Sequence, residues 1–174
     1  MFEFITDFIL SYRFKKKCKN LKNQSKQSIK TFKSIVIIVP QEFTVFNKVF
    51  MDLSEELNIS TNKITVVVYN KKKNLKISSD FKNQIFCSKE QLGISGNFPV
   101  EMIALFEKKF DLLVNYFNEK DIFPELISIN CKSKLRVGFF KASHKINDVI
   151  LDITPDETDL FLDESKNYLN TFLK

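Results

Sequence analysis

The 174-residue chain is long enough for one domain with a sizeable core, and its 44% hydrophobic content separates it from disordered chains. Its formal charge of +6 sits at one end: residues 1–33 hold nine cations against Glu3 and Asp7, while the rest holds 18 cations against 19 carboxylates. The longest apolar runs fall well short of the ~20 residues of a membrane span, and an N-terminus whose apolar residues precede its basic ones, with Glu3 and Asp7 among them, is not a signal peptide.

Residues 3–30 contain neither Gly nor Pro and read as one helix. Phe4, Ile5, Phe8, Ile9 and Tyr12 form one apolar stripe, and Leu10, Phe14, Cys18 and Leu21 form a second. The helix is expected to dock by its apolar stripes and show lysines elsewhere. Ser34–Val39 (SIVIIV) is continuously apolar and β-branched, as in a strand covered on both faces. Pro40 ends it. Phe43, Phe46, Phe50, Leu53 and Leu57 then follow at helical spacing.

Lys63–Tyr69 is a second buried strand, followed by a polar, basic loop at Asn70–Lys76 and a short strand at Gln84–Cys87. Ser88–Pro99 is a loop with Gly93 and Gly96, and Val100–Lys109 is a helix. A strand at Asp111–Tyr116, a helix at Lys120–Asn130 and a strand at Lys134–Phe139 come next. Val149–Ile153 reads as a sixth strand. Thr154-Pro155-Asp156-Glu157 has the form of a capping box, opening a terminal helix with Phe161, Tyr168, Leu169 and Phe172 as core candidates. Strands alternating with helices predict a three-layer α/β, Rossmann-like domain with a mostly parallel sheet of five or six strands. Residues 1–33 form a basic helical arm and 34–174 the domain.

Little of the chain spells chemistry. In folds of this class ligands sit at the carboxyl ends of the strands, yet the first strand leads into VPQEFTVF, which lacks the glycines a pyrophosphate needs. Neither GxGxxG nor a Walker loop occurs. His144, the one histidine, has Ser143 beside it and Asp148 four residues on, but adjacent loop residues rarely converge and no GxSxG elbow exists. GISG (Gly93–Gly96) resembles the GxxG loop of RNA-binding KH domains in outline, although its context suits a loop that needs positive φ. Asp152, Asp156, Glu157 and Asp159 crowd a helix start, where the dipole favours them without a metal. Cys18, Cys87 and Cys131 are odd in number and offer no CxxC pair, so free thiols in a reducing, cytoplasmic setting are expected. No catalytic, cofactor or metal residues are therefore assigned.

The basic arm is the feature that points to a partner. Arg13, Lys15, Lys16, Lys17, Lys19, Lys22 and Lys26 would contact RNA phosphates and release counterions, with Tyr12 and Phe14 able to stack on bases. The same residues suit an anionic membrane surface or a protein partner, with Phe4, Phe8 and Ile9 as the anchor.

SIVIIV, TVVVYNKK, FDLLVNYF, INCKSKLRVGFF and a closing NDVILDI occur in that order. The whole resembles a Bacteroidota family of short single-domain α/β proteins with a basic N-terminal helix, a domain of unknown function. FDLLVNY (110–116) followed by SKLRVGF (133–139) is also similar to the N-terminal half of heptosyltransferase-type glycosyltransferases. That likeness implies a fold, and a remnant without the donor site, since those enzymes bind the nucleotide sugar mainly in a second domain. The expectation is thus a non-enzymatic cytoplasmic protein whose arm contacts RNA, on or near the ribosome. The alternatives are an accessory subunit at a membrane face or bound to a protein, and a glycosyltransferase-like remnant.

Overall fold

The computed structural model describes residues 2–21, 29–70, 81–92 and 95–173, with side chains throughout these save at 2–5, 20 and 44–47. Six strands form one sheet: β1 (Ile35–Pro40), β2 (Ile64–Asn70), β3 (Gln84–Ser88), β4 (Lys109–Asn115), β5 (Lys132–Phe139) and β6 (Val149–Leu151). Every pairing is parallel and the order is β3-β2-β1-β4-β5-β6. The chain steps outward from β1 to β3, then crosses back to lay β4 beside β1. This is a Rossmann-like α/β fold, and the reversal of order falls between β1 and β4.

All six residues of β1 are buried, as its uninterrupted β-branched run demands. Ile35, Ile37 and Val39 face one layer with α2 (Asn47–Glu56) and α5 (Thr158–Phe172). Val36 and Ile38 face the other, with α1 (Phe2–Leu21), α3 (Val100–Glu107) and α4 (Ile122–Asn130). Asp111 ties β4 to the residues entering β1: the Lys33 N–H donates to its carboxylate at 2.8 Å and Lys134 pairs with it at 2.7 Å. Burial works against its charge, but these donors outweigh burial and hold the carboxyl below the usual range.

Several elements differ from the sequence expectation, each for a local reason. The N-terminal helix expected over 3–30 is described over Phe2–Leu21, residues 29 and 30 are not helical, and 22–28 lie outside the described residues. Ile29 makes a parallel bridge to Leu173 and, with Phe32, is buried on the α2–α5 face, opposite the face that Leu21 packs on. One straight helix cannot serve both faces. The helix expected over Phe43–Leu57 begins as a 3-10 turn at Gln41–Phe46. It ends where Asn58 turns to φ +52° and the Ile59 N–H reaches the Ser54 carbonyl at 2.8 Å. The Thr154 N–H and hydroxyl do donate to Glu157, yet helix α5 starts at Thr158. Tyr168 is exposed, because the buried stripe of α5 runs Phe161, Ser165 and Leu169 and leaves it one position aside. The basic loop expected at 70–76 lies, beyond Asn70, outside the described residues.

Candidate functional site

The carboxyl ends of β1 and β4 are the first place to look for a ligand. Pro40 closes β1, and Gln41 just beyond it hydrogen-bonds Asn70 at the end of β2. Tyr116 follows β4 and is fully buried. Its hydroxyl donates to the Pro155 carbonyl at 2.5 Å, and its ring meets Phe50, Phe139 and Phe161 edge-on at 4.8–5.2 Å. Burial, with Asp121, Glu42 and Glu119 nearby, holds the Tyr69 hydroxyl well above its ordinary range. Aromatic rings thus fill this end of the sheet and carboxylates fringe it, a setting that repels phosphate.

The loop after β5 does not assemble a triad. His144 is exposed, and its Nε2 lies 2.7 Å from the Phe140 carbonyl rather than against Ser143. Asp148 instead accepts from the Arg136 N–H at 3.0 Å. Burial pushes the Cys87 and Cys131 thiols up to about 12, so both stay protonated at neutral pH. Among the described residues no three His, Cys, Asp or Glu side chains group so as to hold a metal ion. Arg136 is buried on β5 and donates to the carbonyls of Ser128 (2.8 Å) and Cys131 (2.5 Å) at the end of α4, the first of which also accepts from the Cys131 N–H at 3.1 Å. That role is structural.

Helix α1 carries the exposed charge. Of its two apolar stripes the second docks: Leu10 and Phe14 are buried, and Cys18 and Leu21 pack beside them. Gly96, at φ +63°, lies close under Leu10 and Ile9; a loop glycine with positive φ stands at this contact. Arg13 donates to the Gly96 carbonyl at 2.6 Å and to Asn97 at 3.1 Å, Lys17 donates to Asn130 at 2.5 Å, and Asp7 pairs with Lys89 at 2.6 Å. Helix α1 is therefore fastened to the body from Asp7 to Leu21.

The opposite face of α1 is open. Phe8 is 71% and Tyr12 64% exposed, and Lys15, Lys16 and Lys19 are exposed one and two turns further on. Ile9 is half-buried toward Gly96, so it belongs to the docked side more than to an anchor. No carboxylate occurs from Phe8 to Leu21, and none among the described residues pairs with Lys15, Lys16 or Lys19. Between α1 and α4 runs a groove of about 430 Å³ lined by Arg13, Lys16, Lys17, Asn97, Phe98, Leu126 and Asn130. Sequence reasoning found the cations of this groove but missed Asn97, Phe98 and Asn130, which no local pattern marks. Lys22, Lys26 and the side chain of Phe4 lie outside the described residues.

The fold and these surfaces define an all-parallel, Rossmann-like α/β protein whose strand ends are closed by aromatics and whose N-terminal helix shows an uncompensated basic face. No described helix is long and apolar enough to cross a membrane. The model of the Family of unknown function (DUF6913) matches residues 7–172, and the chain belongs to that family. No curated protein and no solved structure gives a significant match.

Proposed function

We propose that this protein binds single-stranded RNA, free or on the ribosome, through the open face of α1, and catalyses no reaction. It would do so in the cytoplasm. One observation carries the reading: Phe8 and Tyr12 share a solvent-facing helix surface with Lys15, Lys16 and Lys19, with no carboxylate among them. Cations that track a backbone beside rings that stack on bases are what sequence-tolerant RNA binding requires. The Bacteroidota source and the heptosyltransferase likeness, read from FDLLVNY and SKLRVGF, stand with this proposal as features of descent and fold; they bring no reaction with them.

Fluorescence anisotropy of a labelled single-stranded oligonucleotide against salt tests it. Three engaged cations would give a log–log slope of about −2, at about −0.7 per phosphate. Lys15→Glu with Lys19→Glu should flatten that slope and weaken binding at least tenfold, an estimate on the order of one to two lost phosphate contacts. Absence of binding, or binding indifferent to salt and to both substitutions, would overturn the reading. Flotation with anionic vesicles in the absence of RNA binding would replace it by a membrane surface, anchored at Phe8.

A further inference from the structure

The groove between α1 and α4 adjoins the open face of α1, and Lys16 belongs to both. Its construction differs from that of a structural ion-pair network. Arg13 is held by the Gly96 carbonyl and the Asn97 amide oxygen, and Lys17 by the amide oxygen of Asn130. Asn130 is fixed in turn by donating to the Leu126 carbonyl at 2.7 Å. Two cations are thus oriented by neutral acceptors, which place the charge without cancelling it. A guanidinium has five N–H donors, and Arg13 spends only two sides of its fork on these partners. Glu107, whose charge reaches Lys17, is itself paired with Lys132 at 2.7 Å.

One wall of the groove is aromatic. Phe98 is half-buried, edge-on to Phe106 at 5.1 Å and stacked on Phe123 at 6.4 Å, so its ring is fixed from behind. The groove's volume, about 430 Å³, is in the range of small-ligand sites. Fixed cations that want an anion, beside a planar ring that wants a planar partner, describe a nucleotide better than inorganic phosphate or a lipid headgroup.

We infer that the groove holds one nucleotide of the bound RNA strand, its phosphate between Arg13 and Lys17 and its base against Phe98. The inference rests on the RNA-binding reading of α1 and adds a defined subsite to it. A strand lying along Lys15 and Lys19 would turn past Lys16 into the groove.

Amide NMR on the full chain, titrated with AMP and separately with inorganic phosphate, tests it. AMP should shift the amides of Gly96, Asn97, Phe98 and Asn130, and phosphate should shift the same amides more weakly. Phe98→Leu should weaken AMP on the order of tenfold, the stacking contribution of one base, and leave phosphate binding unchanged. Asn130→Asp sets a carboxylate on Lys17 and should weaken both ligands several-fold; it keeps the test decisive if Phe98→Leu does not fold. If the oligonucleotide binds wild type while AMP leaves these amides unmoved, the subsite is refuted and the RNA reading stands. If AMP binds equally well to Phe98→Leu, the base does not lie on Phe98 and the inference falls. If AMP binds and the oligonucleotide does not, the RNA reading falls and takes the strand assignment with it.

Discussion

Glu125→Gln should make the protein more resistant to unfolding at alkaline pH than at acid pH, relative to wild type. Glu125 lies in the first turn of α4, where the helix dipole favours a negative charge, but it is only 5% exposed and its Oε1 has no hydrogen-bond partner. Burial raises its carboxyl to about 7; the Ser143 N–H opposes this, Asp121 adds to it, and Lys120 and Lys145 oppose it. The folded protein therefore keeps a proton that the unfolded chain releases near 4.5. Stability falls as pH rises from about 4.5 to 7 and is level above that. The gap corresponds to about 3 kcal/mol of destabilisation at pH 8. Glutamine resembles the protonated carboxyl and does not titrate. Urea unfolding followed by circular dichroism at pH 4.5, 6, 7 and 8 should show the stability difference between the two proteins growing by that amount. A difference constant across the range would mean that Glu125 ionises normally in the fold, and would refute the account.

Gly96→Ala should cost about 1–2 kcal/mol, because φ +63° is unfavourable for alanine and its Cβ would sit 3.2 Å from Leu10. Thermal melting measures the cost, and hydrogen exchange should show α1 loosening before the sheet. Arg136→Met should destabilise by about 1–3 kcal/mol in denaturant titration, since it takes the guanidinium from the Cys131 carbonyl and leaves the Ser128 carbonyl only the Cys131 N–H, and Arg136→Lys should rescue little, since one ammonium cannot span both. Tyr116→Phe should lose about 1 kcal/mol, the worth of its bond to the Pro155 carbonyl, with ring packing unchanged; a loss near zero would mean that the bond contributes nothing net.

The strands were legible because their signal is local. SIVIIV and FDLLVNY can satisfy their side chains only when covered on both faces, which requires a parallel sheet with helices above and below. The charge asymmetry and the loop glycine that needs positive φ were legible for the same reason. The choice between the two apolar stripes of α1 was not. Phe8 and Tyr12 repeat at the same helical spacing as Leu10 and Phe14, and the complementary surface of α4 and the Gly96 loop decides which pair is buried. Nor could any window of sequence take Ile29 and Phe32 out of the helical pattern, since what holds them is the opposite layer. The groove is the clearest case: Arg13 meets Gly96 across 83 residues and Lys17 meets Asn130 across 113. The sequence by itself determined which segments are strands and where the positive charge lies. Which lysines face solvent, and which are aimed by an asparagine at a shared groove, was decided by the packing of helices remote in the chain.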